Sequence, residues 1–101
     1  MMNKKSDVYN FFFPESVAIF GVSEAPSNLA GVIVENLERF HFKGRIYPMG
    51  SRGGHRGARK IHTSLEEIDE VPDLAVILVP AAHVAHALRA CGKKGIGHVI
   101  V

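Results

Sequence analysis

The stretch that decides the fold is Ser16-Val17-Ala18-Ile19-Phe20-Gly21-Val22-Ser23. Its apolar run is typical of a parallel strand covered on both faces, and it ends in glycine and small polar residues. Asn28-Leu29-Ala30-Gly31 then opens an apolar helical stretch, so the turn would present free backbone N–H groups and a positive helix end to an anion. The pattern predicts a phosphate site, although glycine after a strand is also common as a plain turn residue.

The glycine spacing differs from the dinucleotide-binding fingerprint. Gly-x-Gly-x-x-Gly requires a second glycine where Ser23 stands, and the next glycine after Gly21 is Gly31. The turn therefore does not by itself indicate NAD.

Strand and helix patterns alternate along the rest of the chain. The strands are predicted over Val17–Gly21, Arg45–Met49, Ala58–His62, Leu74–Val79 and His98–Val101. The helices are predicted over Leu29–Phe40 and from Ala81 to Cys91, where Gly92 and Gly95 stop the second one. A short helix opened by a capping box at Thr63 or Ser64 lies before the strand over Leu74–Val79. On the first helix, Leu29, Ile33, Leu37 and Phe40 form the predicted apolar stripe. This alternation predicts an α/β fold, a Rossmann-like doubly wound parallel sheet, with the ligand at the carboxyl ends of the strands.

Composition places the chain among small globular domains. It has 101 residues, 47% of them hydrophobic, which suits a single domain over residues 11–101 after a polar lead at residues 1–10. No apolar run approaches the roughly 20 residues that span a bilayer, and the first residues lack the apolar segment of a signal peptide, so we expect no membrane association. The lone Cys91 excludes an internal disulfide and favours the cytoplasm, and we expect this thiol to be buried and inert.

Charge is concentrated in one segment. Residues 41–61 contain no acidic residue, and residues 50–57 are rich in glycine and arginine. This basic segment is either a solvated loop or the place where a phosphorylated ligand docks, with Arg52 and Arg56 as phosphate contacts and His55 and His62 as additional ones. Nucleic acid is not expected, because no aromatic residues are interleaved with the basic ones.

The other candidate chemistry in the sequence is weak. His83 and His86 lie three residues apart on a helix, but no neighbour supplies a third metal ligand, which favours an exposed polar face over a metal site. No arrangement of serine or cysteine with histidine indicates a nucleophile, so we expect no catalytic residue and no metal.

Four consecutive motifs carry a resemblance to a known family: residues 13–23, residues 42–48, residues 64–68 and residues 72–81. In this order they resemble the CoA-binding domain of NDP-forming acyl-CoA synthetases, which is related to the N-terminal part of the succinyl-CoA synthetase alpha subunit. The similarity extends from about Phe11 to the end of the chain.

The resemblance implies a set of ligand-binding residues. Gly21, Ser23 and the turn from Asn28 through Leu29 to Gly31 would face phosphate, and Ser51 and Arg52 would lie near ribose or phosphate. Val79, Pro80 and Ala81 would line the same site. The chain departs from the family pattern at two places. Met49-Gly50-Ser51 stands where the synthetases commonly have Val-Asn-Pro, although the following Arg52-Gly53-Gly54 is similar to a Lys-Gly-Gly stretch of the succinyl enzymes. The chain also ends at Val101, before the family's next glycine-containing loop. The second departure implies a C-terminally truncated domain.

The function expected from this resemblance is binding of the nucleotide end of CoA, without catalysis by this chain alone. The implied partners are further synthetase domains or subunits, including an ATP-grasp domain, and we expect a homo-oligomer. Two alternatives stay open. One is an NADP-binding Rossmann domain of an oxidoreductase, since the second strand lacks an acidic residue for a free ribose while Ser51 and Arg52 could take a 2′-phosphate. The other is a regulatory or assembly module that has lost its ligand.

Overall fold

A computed structural model describes Tyr9 and residues 11–101. The predicted polar lead at residues 1–10 lies, except for Tyr9, outside the described residues. The strands are β1 (Ser16–Phe20), β2 (Arg45–Met49), β3 (His55–Arg56), β4 (Arg59–Lys60), β5 (Leu74–Ile77) and β6 (Val99–Ile100). The helices are α1 (Leu29–Arg39), α2 (Ala81–Lys94) and a short 3₁₀ helix at Leu65–Glu67.

Four parallel strands form the central sheet in the order β2-β1-β5-β6, and β3 and β4 form a separate antiparallel hairpin. From β1 the chain moves outward through α1 to β2, then returns across β1 to β5 and continues through α2 to β6. The direction of winding therefore reverses between β1 and β5, where such sheets bind ligands. These features confirm the predicted α/β class with a Rossmann-like parallel sheet.

Alternation along β1 divides the core between the two faces of the sheet. Val17 and Ile19 pack with Val34 of α1, while Ala18 packs with Ala87 and Cys91 of α2. Each face is thus covered by its own helix, which is the doubly wound arrangement. Cys91 is 1% exposed, and this burial raises the pKa of its thiol.

Several predicted boundaries and faces were wrong. β1 ends at Phe20 and β5 at Ile77, and the strand predicted over residues 58–62 is present only at Arg59–Lys60, where it forms the second arm of the β3–β4 hairpin. Gly92 lies inside α2, whereas Gly95 ends the helix with a φ of 98°.

The predicted apolar stripe of α1 was right at Ile33 and Leu37, which pack against the core, and wrong at Leu29 and Phe40. Leu29 is 63% exposed and Phe40 is 76% exposed, whereas Ala30 and Val34 are buried. Ala30 and Val34 belong to the same buried cluster as Val17 and Ile19 of β1, so the buried face of α1 includes these two residues beside Ile33 and Leu37. Within the part of the chain that the structure describes, no helix is long and apolar enough to cross a membrane.

Candidate functional site

The first wall of the site is the loop that leaves β1. Gly21 has a φ of 100°, and a Cβ at this position would overlap the carbonyl oxygen of Leu78. Glycine is required here both for the left-handed backbone and for the close approach of the neighbouring strand. The N–H groups of Gly21 and Val22 both donate to the Met49 carbonyl, at 3.0 and 2.9 Å. The end of β1 is therefore fixed against β2 and β5 before the loop begins.

Asn28 closes this loop at the start of α1. Its side-chain oxygen accepts hydrogen bonds from the N–H groups of Ser23, at 3.0 Å, and Gly31, at 2.8 Å. Its side-chain nitrogen donates to the Gly21 carbonyl at 2.9 Å. One amide side chain thus caps the helix and sets the shape of the loop from Gly21 to Asn28.

The second wall follows β2. The N–H of Gly50 donates to the His62 carbonyl, and the N–H of His62 donates to the Pro48 carbonyl, so the chain returns beside its own outgoing path. Ser51 and Arg52 are exposed at this turn. Thr63 donates to the Glu67 carboxylate at 2.8 Å, and this hydrogen bond, with one from His62, lowers the pKa of Glu67.

The third wall comes from β5 and α2. Leu78, Val79 and Pro80 continue from the end of β5, and α2 begins immediately after Pro80. His83 and His86 lie on successive turns of α2, on the side that faces the other two walls. Both histidines are exposed, in agreement with the predicted polar face.

The three walls enclose a cavity of about 660 Å³ at the carboxyl ends of the strands. Of the predicted site residues it brings together Gly21, Ser23, Asn28, Ser51, Arg52, Val79 and Pro80. Leu29, Gly31 and Ala81 do not line it. The lining also includes residues that the sequence analysis did not assign to the site, namely Phe20, Val22, Met49, Gly50, Thr63, Ser64, Leu65, Leu78, His83, His86, Ala87 and Ala90.

Two positions predicted as phosphate contacts have other partners. Gly31 is buried, its N–H is bound by Asn28, and a Cβ here would overlap the guanidinium of Arg56. Arg56 itself is only 5% exposed and bonds to Glu35 at 2.9 Å. The expectation that Arg56 contacts a ligand phosphate is wrong, because its guanidinium is buried and its donors are bound by other groups of the protein. His55 and His62 do not line the cavity either.

The electrostatics of the cavity favour an anion. Among the described residues that line it, Arg52 is the one lysine or arginine. Both α1 and α2 begin beside it, and the first N–H groups of a helix have no partner within the helix. The N–H groups of Leu29, Ala30, Ala81 and Ala82 form no hydrogen bond with any described residue. Apolar lining from Leu65, Val79 and α2 completes a cavity suited to a phosphorylated ligand with an apolar part.

A doubly wound sheet with a cavity at the reversal of its winding is typical of nucleotide-binding α/β domains. Comparison with protein families is more specific: residues 15–101 match the family described as the CoA binding domain. The chain belongs to this family, which confirms the resemblance found in the sequence.

The proteins similar to this chain include proteins named as acetate–CoA ligases or as their alpha subunits. Over 89 residues the chain is 39% identical to the alpha subunit of acetate–CoA ligase (ADP-forming) I from Pyrococcus furiosus, which covers 84% of this chain and 19% of that protein. It is 38% identical over 90 residues to acetate–CoA ligase (ADP-forming) from Methanocaldococcus jannaschii, covering 88% of this chain and 12% of the relative.

Comparison with solved structures finds the same class of protein. The apo form of dinucleotide forming acetyl-coenzyme A synthetase 1 from Ca. Korarchaeum cryptofilum superposes with a TM-score of 0.87 at 30% identity, covering 93% of this chain and 20% of that one. The chain thus spans about a fifth or less of the length of these three proteins. The family and these relatives favour the CoA interpretation over the NADP alternative.

Proposed function

We propose that this chain binds CoA through its phosphorylated adenosine end, as the CoA-binding part of an ADP-forming acyl-CoA ligase. The observation that carries the proposal is the cavity at the ends of β1, β2 and β5, in a member of the CoA binding domain family. Arg52 lines this cavity, and Asn28 and Pro80, the residues that directly precede α1 and α2, line it as well. CoA presents a diphosphate and a 3′-phosphate at one end and a largely neutral pantetheine arm at the other. The polar loops, and the apolar lining from Leu65, Val79 and the two α2 alanines Ala87 and Ala90, offer a matching pair of surfaces.

Each wall has a proposed role. The loop held by Asn28 and the start of α1, including the Leu29 N–H, face phosphate, and Ser51 and Arg52 take the ribose or its 3′-phosphate. Val79 and Pro80, followed by the Ala81 N–H at the start of α2, form the opposite side. Gly31 acts indirectly, by packing beneath the first loop.

The wider assembly is part of the proposal. Relatives named as alpha subunits imply further subunits, and we propose that an ATP-grasp domain and the acyl-phosphate site lie on them or on further domains. In that arrangement residues 11–101 hold CoA so that its thiol reaches the reaction centre elsewhere, in the cytoplasm. We then expect this chain alone to form no acyl-CoA when it is incubated with a carboxylic acid, CoA and ATP.

The test is calorimetric titration with CoA, dephospho-CoA, NADPH and NAD. We expect CoA to bind most tightly, and dephospho-CoA less tightly because it lacks the phosphate assigned to Arg52. Arg52→Ala should weaken CoA binding by about 1.5–3 kcal/mol, roughly tenfold or more in Kd, since a charged hydrogen bond is lost.

Arg39→Ala is the matched control, because Arg39 is an exposed arginine in the last turn of α1, at the end of the helix away from the cavity. It should leave the Kd unchanged. Preference for NADPH would favour the oxidoreductase alternative, and binding of none of the four ligands would favour a module that has lost its ligand.

A further inference from the structure

Arg56 is a buried cation whose side-chain hydrogen bonds all go to one loop and one helix. Its guanidinium donates to the carbonyl oxygens of Ser23 at 2.9 Å, Ala25 at 2.5 Å and Pro26 at 3.2 Å. Its Nε donates to Glu35 on α1 at 2.9 Å. One planar group therefore ties the loop that leaves β1 to the middle of α1.

The surrounding sequence makes room for this group and anchors the hairpin that carries it. Gly31 leaves the space that the guanidinium occupies, since a Cβ would overlap it. On the same hairpin the N–H of His55 donates to the Glu24 carboxylate at 2.8 Å, which is a second link to the loop. Arg59 pairs with Glu38 further along α1.

Fixing these carbonyls also fixes the peptide N–H groups. In a planar trans peptide, the C=O of one residue and the N–H of the next point in opposite directions. The bonds from Arg56 to Ser23 and Pro26 therefore turn the N–H groups of Glu24 and Ser27 away from the guanidinium. Neither N–H forms a hydrogen bond with any described residue. Between them the Ala25 N–H donates to Ser23 Oγ and Pro26 has no N–H, so the loop keeps two separate free donors ahead of the start of α1, where an anion is favoured.

We propose that Arg56 is a positioning residue, which holds the loop of residues 21–28 in the conformation that binds the ligand phosphate. This inference rests on the proposed function and adds a residue that does not touch CoA. Because Glu35 neutralises the guanidinium, Arg56 acts on affinity through loop geometry and not through charge. Lysine cannot replace it, since an ammonium lacks the planar set of donors that reaches three carbonyls and a carboxylate together.

The test compares CoA titrations of the unmodified chain, Arg56→Ala, Arg56→Lys and the control Arg59→Ala. Arg59 belongs to the same hairpin and also pairs with α1, but its contacts are Glu38 and the Ile46 carbonyl, not the loop. Circular dichroism first establishes a temperature at which each variant is folded. We expect both Arg56 variants to bind CoA about tenfold or more weakly, because ordering the loop then opposes binding, while Arg59→Ala keeps the Kd.

Two further readouts separate positioning from a general loss of structure. In ¹⁵N–¹H spectra the amides of residues 23–28 should shift in the Arg56 variants, while those of β5 and β6 stay in place. Methylguanidinium at millimolar concentration should restore CoA affinity to Arg56→Ala, whereas methylammonium should not. If Arg56→Ala does not fold, Arg56→Lys carries the same comparison of Kd and spectra.

The outcomes distinguish this inference from the function on which it rests. If the unmodified chain does not bind CoA, the proposed function fails. If the unmodified chain binds CoA and a folded Arg56 variant binds it equally well, the function stands and the positioning role of Arg56 is overturned.

Discussion

At the scale of single residues, Glu70 shows how one carboxylate joins two parts of the fold. Arg45 and Tyr47 on β2 both bond to it, with Arg45 Nη2 at 2.9 Å from Oε1. The hydrogen bond from Arg45 is the main cause that lowers the pKa of Glu70, and burial is the main cause that raises the pKa of Tyr47. A carboxyl with a lowered folded-state pKa stabilises the fold above its unfolded pKa of about 4.3, and this contribution is lost as pH falls through the folded-state pKa.

Glu70→Gln should therefore lower the melting temperature at pH 7, by roughly a few degrees in a domain of this size. The gap between the variant and the parent chain should shrink as pH falls below about 4, because the parent carboxyl is then protonated as well. Thermal unfolding followed by circular dichroism across this range measures it. Glu66→Gln is the control, since no described residue forms an ion pair with Glu66. A gap that stays constant with pH would contradict the assignment.

Gly31 offers a second test at this scale, because two effects of opposite sign compete there. Alanine is favoured over glycine inside a helix by roughly 0.5–1 kcal/mol, but at position 31 its Cβ would displace a guanidinium anchored by four hydrogen bonds. We expect the overlap to prevail, so that Gly31→Ala lowers the free energy of unfolding by about 1–3 kcal/mol. Denaturant unfolding measures this change.

Two comparisons make the Gly31 test specific. In an Arg56→Ala background the same substitution should be neutral or stabilising, because the space is then empty. Gly92→Ala on α2 should stabilise the chain, since nothing lies within 4 Å of its Cβ position. Equal destabilisation by Gly31→Ala in both backgrounds would show that Arg56 is not what limits the side chain at position 31.

At the scale of elements, α1 and the loop before it depend on the Asn28 side chain. Asn28→Ala removes a helix cap and two further loop hydrogen bonds, so we expect a loss of stability of at least about 1 kcal/mol. Because the same bonds shape the cavity wall, the Kd for CoA should rise in the folded variant. The control is Asn36→Ala, at an exposed position within α1, which should keep the Kd and should not lower stability, because alanine is the better helix former. If folded Asn28→Ala kept full CoA affinity, the Asn28 side chain would stabilise the helix without shaping the CoA site.

Local patterns determined which elements were predictable. Continuous apolar runs identified β1 and β5, and the apolar helical stretch opened by residues 28–31 placed the start of α1 at Leu29, where it is found. The wrong predictions came from interactions between distant segments. Arg56 looks like a solvated loop cation in sequence. Its burial is explained by the gap at Gly31, the carboxylate of Glu35 and three loop carbonyl oxygens, all more than twenty residues away in the chain. His83 and His86 were predicted to be exposed, but their place in the cavity wall depends on how α2 packs.

At the scale of the whole molecule, the two edge strands of the sheet differ in whether another segment of the chain lies against them. β2 is followed by the turn whose His62 pairs with Met49 and Pro48, whereas β6 pairs with β5 alone in the part of the chain that the structure describes. Ile100 on β6 is 43% exposed. An exposed apolar edge strand offers unpaired N–H and C=O groups to another strand.

We therefore expect the purified chain to self-associate through the β6 edge at concentrations of roughly tens of micromolar. Sedimentation velocity should show a species larger than the 11.0 kDa monomer, and Ile100→Lys should shift it towards the monomer, because a charge at an exposed edge opposes strand pairing. Phe40→Lys is the control, since Phe40 is a more exposed apolar residue at the far end of α1, and it should leave the distribution unchanged. A monomer throughout the concentration range, or loss of association in Phe40→Lys alone, would exclude the β6 edge as the contact.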